Sequence, residues 1–118
     1  EPCLEQAGSA EGEPRLPLPV VMKACGEIEL YAEDKIRSWR DLVTAADFVR
    51  GMIGVSPDAW DEARVVMGPA NASVCIACIL ERFEDIRSPG GYLRALTAKA
   101  EEGAFSTGPM VMALLNRD

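Results

Sequence analysis

The chain contains no histidine among its 118 residues. That removes the commonest general acid–base and the commonest transition-metal ligand together, and it excludes every triad built on imidazole. Long apolar runs are missing as well. No stretch approaches the ~18–20 residues that a membrane span needs, and no charged segment followed by an apolar run leads one to expect a signal peptide. No segment alternates with period two, and no Asn-Gly or Asp-Gly pair joins two apolar runs, so strands and hairpins are not expected. An excess of base is lacking too. The net charge is −7, the wrong sign for a chain whose main task is non-specific phosphate binding, which draws on clustered Lys and Arg.

The acidity is uneven. Residues 1–36 carry 8 acids and 3 bases, whereas 37–118 carry 11 acids and 9 bases. A small local basic patch is therefore compatible with the second segment, although long-range attraction to DNA is not expected. The first residue is Glu1 rather than Met, which suggests a processed chain or a piece of a longer protein.

Four cysteines are present: Cys3, Cys25, Cys75 and Cys78. Cys75 and Cys78 form a C-x-x-C pair inside "NASVCIACIL", a nearly unbroken apolar run. A zinc site would want a second pair at comparable spacing, which Cys3 and Cys25 do not supply. A thioredoxin-type pair would sit at a strand-to-helix junction. The thiols are expected to be buried small hydrophobes in a reducing, cytoplasmic compartment, with no metal and no cofactor.

Residues 1–18 begin "EPCLEQAGSAEGEPRLP", rich in Glu, Pro, Gly and Ser and without periodicity, and are read as a linker or disordered lead-in. Residues 19–118 are read as one helical domain. A short helix from Pro19 would bury Val20, Val21, Ala24 and Ile28. In "RSWRDLVTAADFVRGMIG", Ser38 is a fitting N-cap and Trp39, Leu42, Val43, Ala46, Val49 and Ile53 recur at helical spacing, with Gly54 as the stop. Ser56-Pro57 opens the next helix, which buries Trp60, Ala63, Val66 and Met67 and ends at Gly68. Pro69 starts the most apolar element. Ala72, Cys75, Ile76, Ile79, Phe83 and Ile86 share one face, while Glu81, Glu84 and Asp85 fall on the polar side.

Ser88-Pro89 is a third serine–proline start, for a helix carrying Tyr92, Leu93, Leu96 and Ala100 inward and closing at Gly103. Finally "FSTGPMVMALL" is a short apolar helix, capped by Ser106 or begun at Pro109. About six short helices with loops of two to five residues predict a compact all-α bundle.

"RSPGGYLRALT" offers two readings. Gly90 and Gly91 lie in the first helical turn, where amides lack intrahelical partners. Flanked by Arg87, Ser88, Arg94 and Lys99, they could receive a phosphate, and Tyr92 could stack on a base. The simpler reading is close packing of the new helix start on the end of the preceding one, with Tyr92 half-buried. Met110, Met112, Leu114 and Leu115 likewise mark the last helix as either central or part of a self-association interface. The carboxylates form no site beyond a solvated face, and no catalytic residue stands out.

Three pieces, "SPDAW…A…MGP", "ILER…IRSPGGYLRALT" and "GAFSTGPMVMALL", occur in one order. With them, residues 19–115 closely resemble the C-terminal domain of the RepC-type replication initiators of repABC plasmids in alphaproteobacteria. Cys75 and Cys78 depart from the family's usual small apolar residues without disturbing the core reading. The resemblance implies an accessory, non-enzymatic domain that supports initiation at the plasmid origin, or plasmid incompatibility. Its contacts would be with itself or with host replication proteins. Sequence-specific reading of origin DNA would belong mainly to an N-terminal winged-helix-like domain that this chain does not include. Direct single- or double-stranded DNA contact through Arg87–Lys99 is the alternative. Neither a membrane nor a small-molecule substrate is expected.

Overall fold

The computed structural model describes residues 16–117. The expected linker, and Cys3 with it, lies almost wholly outside them. Among the described residues there are six α-helices, two 3-10 segments and no strand. The helices are α1 (Leu18–Ala24), α2 (Trp39–Met52), α3 (Pro57–Met67), α4 (Pro69–Glu81), α5 (Pro89–Glu101) and α6 (Thr107–Leu115). One 3-10 segment, Gly26–Tyr31, follows α1, and the other, Phe83–Asp85, follows α4. No helix among the described residues is long and apolar enough to cross a membrane.

Serines start four of the helices. The hydroxyl oxygens of Ser38, Ser56, Ser88 and Ser106 accept from the N–H groups of Asp41, Ala59, Gly91 and Gly108 at 3.1, 3.2, 3.1 and 3.2 Å. Each such cap answers an amide that the helix cannot satisfy itself and is worth about 1 kcal/mol. Proline stands in the first helical turn of α3, α4 and α5, where its missing N–H costs nothing. Ser106 caps α6, so Pro109 lies within that helix rather than at its start.

α4 is the axis of the bundle. Every residue from Ala72 to Ile79 is buried, so the helix must be covered on all sides. It packs against α2, α3, α5, α6 and the Gly26–Tyr31 segment, while α3 and α5 pair with each other and α1 lies on α6. Ser73, fully buried, donates to the Pro69 carbonyl at 2.7 Å. Thr107 donates to Asn71 Oδ1 at 3.0 Å, and the Asn71 amide donates to the Met67 carbonyl at 3.1 Å. These polar side chains are thus paired locally, and the last two bonds fix the start of α6 to the α3–α4 corner.

The structure departs from the sequence reading at four places. Ile28 does not continue α1: the backbone breaks at Cys25 (φ −126°, ψ 62°), and Ile28 reaches the core from the 3-10 segment. The apolar stripe of α4 does not run to Ile86. The chain leaves the helix at Arg82 (φ −110°, ψ 22°), so Phe83 is 46% exposed and Ile86 only half-buried. Glu81, expected on the solvated face, has a side chain only 5% exposed. Tyr92 is 38% exposed, because α5 turns Leu93, Leu96 and Thr97 inward and Tyr92 lies about 100° off that face.

A single residue, Gly68, joins α3 to α4 at φ 89° and ψ 152°, a region open almost solely to glycine. Gly51, near the end of α2, has an ordinary φ and open space where a Cβ would stand. Gly68→Ala is therefore expected to lower stability by about 1–3 kcal/mol, and Gly51→Ala to raise it by about 0.5–1 kcal/mol, as read by urea unfolding.

Candidate interaction surfaces

The start of α5 is ordered by Ser88. Its hydroxyl accepts the Gly91 amide, so one of the two bare amides is already answered. Gly90 lies against other backbone: a Cβ there would stand 3.7 Å from the Gly54 carbonyl and 3.9 Å from Val55 Cα. The close approach is thus to the α2–α3 corner and not to the end of α4, because α5 packs on α3. Arg87 and Lys99 are exposed. Arg94 reaches across to α3 and pairs with Glu62 at 3.2 Å. Lys99 lies in the last turn of α5, about 15 Å along the axis from Pro89. The cations named from the sequence therefore do not converge on the helix start, and a carboxylate lies among them.

On α6, Leu114 is 3% exposed, which removes it from any interface. Met110 and Leu115 are half-buried against the core, and Met112 alone of the four is largely outside, at 42%. The apolar character of this helix goes into covering α1 and α4.

A different surface gathers exposed apolar groups, and sequence reasoning did not find it. The Gly26–Tyr31 segment lies on both α2 and α4; one carboxylate ties it to the end of α4 and another closes it on the loop that follows. Glu81 Oε2 accepts the Glu27 N–H at 2.8 Å while its Oε1 accepts from Arg117 at 2.8 Å. Glu29 Oε2 accepts the Ile36 N–H at 2.9 Å. The segment thereby presents Leu30 and Tyr31 outward, 74% and 41% exposed. Tyr31 borders two adjoining grooves, of about 540 and 520 Å³. Phe48 of α2 lines the first and Phe83 the second. Three carboxylates and one lysine surround the first groove; four carboxylates and two arginines surround the second. Only Phe48, exposed between the buried Ala45 and Val49, leaves a hint of this surface in the helical period.

The described thiols are all buried. The sulfur atoms of Cys25 and Cys78 are 3.7 Å apart, and Cys75 lies 3.7 Å from the Met67 sulfur. Burial pushes the Cys75 thiol up to about 12. The hydrogen bond with Cys25, and then burial, push Cys78 up as well. Among the described residues, no group of three or more Cys, Asp or Glu side chains is placed to hold a metal ion.

Residues 17–117 match the family model described as the replication protein C C-terminal region. A protein of Rhizobium rhizogenes named "Putative replication protein C" is 53% identical over 109 residues, which is 90% of this chain and 27% of that protein. Another of that name, from Sinorhizobium fredii (strain NBRC 101917 / NGR234), is 54% identical over 100 residues, 84% of this chain and 25% of its own length. The chain thus spans about a quarter of these curated relatives. No solved structure matches it.

A thiol held neutral in the fold stabilises it below the unfolded-state value near 9 and ceases to do so as the pH rises toward the folded value. Between pH 9 and 12 the wild-type chain should lose roughly 1.4 kcal/mol per pH unit through Cys75. Cys75→Ala should flatten that decline in urea titrations run across the same range.

Proposed function

The chain belongs to the replication protein C C-terminal family, and on that premise we propose that it is a non-enzymatic accessory region of a plasmid replication protein. It supports initiation at the plasmid origin, and plasmid incompatibility, through protein contacts: self-association or recruitment of other replication proteins. The observation that carries this reading is the distribution of surface chemistry. Exposed apolar side chains gather at Tyr31, Phe48 and Phe83, whereas the cations Arg87, Arg94 and Lys99 are spread along α5, with Arg94 paired to Glu62.

Charge supports the same choice. A net charge of −7 opposes approach to a phosphate backbone, and Glu62 places a carboxylate beside Arg94, where an incoming phosphate would meet like charge. The missing histidines remove the commonest acid–base group, and Glu81 and Glu29 act in backbone contacts, which suits a role in contact rather than catalysis. Contact with origin DNA is left to other parts of the full-length protein.

Fluorescence anisotropy of this chain with labelled single- and double-stranded DNA tests the reading. At physiological salt the expected affinity is weaker than the ~10⁻⁴ M at the weak end of non-specific binding. Tighter, salt-dependent binding would overturn it if Arg87→Ala and Arg94→Ala each reduced the salt slope by about one unit.

A further inference from the structure

The paired grooves around Tyr31 have a chemistry that selects their occupant. Their lining carries large aromatic side chains: Tyr31 shared by both, Phe48 at 60% exposure in one and Phe83 at 46% in the other. Around these the carboxylates outnumber the cations, three to one in the first groove and four to two in the second. Glu81 is not an incidental member of that set. At 5% exposure it is committed to the Glu27 amide and Arg117, so it builds the groove rather than serving as a loose surface charge. Glu33, Asp34, Glu84 and Asp85 remain exposed on the rim.

We propose that this acid-rimmed aromatic cleft is the docking site for a lysine- and arginine-rich segment of a partner protein that inserts large apolar anchors. Charge complementarity chooses among the occupants. A second copy of this chain carries −7 and would bring like charge to the cleft, which costs several kcal/mol when juxtaposed. The chain's own residues 1–15 hold four acids and one base and meet the same objection. Nucleic acid is repelled outright. A basic segment satisfies both features at once: its apolar side chains fill grooves of a size that takes small ligands or anchor residues, and its cations face the rim. Glu81, bonded to the Glu27 amide and to Arg117, and Glu29, bonded to the Ile36 amide, hold the backbone of the cleft before binding, which lowers the ordering cost.

The proposal rests on the protein-contact reading. It is tested with three fluorescein-labelled 18-residue peptides: Leu and Lys at helical spacing, the same with Glu for Lys, and the same with Ser for Leu. Anisotropy titration with the 118-residue chain should give micromolar binding for the Leu/Lys peptide and none for the Leu/Glu peptide. The Ser/Lys peptide should bind at least tenfold more weakly. Amide shifts in ¹⁵N spectra should cluster at Leu30, Tyr31, Phe48 and Phe83. Phe48→Ser with Phe83→Ser should weaken binding at least tenfold. Val65→Ser, at an exposed apolar position on α3 that lines neither groove, should leave it unchanged.

Equal binding of the Leu/Glu or Ser/Lys peptide, shifts centred elsewhere, or no binding at all would overturn the cleft as the site. None of these would touch the protein-contact reading, which the DNA titration tests separately.

Discussion

α4 carries no charged residue until Glu81 and is buried from Ala72 through Ile79, and the remaining elements are arranged around that demand. A helix that is apolar on every side cannot form one wall of a small bundle; it must be the centre. Burying Ile76 and Ile79 completely is worth about 1.5–3 kcal/mol each, gained only if several partners approach. α2, α3 and α6 supply most of that cover. The 3-10 segment Gly26–Tyr31 closes a remaining side. The small residues Ala72, Ala77, Cys75 and Cys78 make the close approach possible, because none of them holds a neighbour at arm's length. In this setting the thiols are packing atoms, and the fold keeps them protonated.

The end of α4 is where the core becomes surface. Once the helix stops at Glu81, that carboxylate is drawn inward by a backbone amide on the far side of the chain and by Arg117. A charge-assisted bond of this kind is stronger than a neutral one, and here it anchors the 3-10 segment. One consequence is that Tyr31 and Phe83 are displayed beside each other instead of packing away. The same contact that covers the core therefore shapes the face assigned to partner binding. At the α5 start, Ser88 takes up the Gly91 amide that a bound anion would have used, and Gly90 lies against the α2–α3 corner.

Much of the fold was legible because its signals are local. Ser38, Ser56, Ser88 and Ser106 act on amides two or three residues away, and Gly54 and Gly68 end helices through their own φ angles. The all-α architecture follows from such signals and from the apolar periods. The surfaces were less legible. Helical spacing carries the α4 stripe to Phe83 and Ile86, yet the helix ends at Glu81, whose carboxylate binds Glu27, distant in sequence. The reading of Gly90 found close packing but not its partner, since the corner at Gly54–Val55 is brought up by α3 and not by the neighbouring segment. Leu114 looked like interface because the whole of α6 is apolar, and only the position of α1 shows which side is taken. The aromatic cleft joins three elements from separate parts of the chain, and no local pattern announces it.

The most direct measurement of the central claim is replication of an origin-bearing plasmid by the full-length protein carrying paired substitutions in this region. With Phe48→Ser and Phe83→Ser, both at exposed positions, the account predicts loss of plasmid maintenance while the protein stays folded by circular dichroism. With Arg87→Ala and Arg94→Ala it predicts maintenance at the wild-type level. The opposite pattern, silent phenylalanines and essential arginines, would contradict the account and assign function to the α5 start.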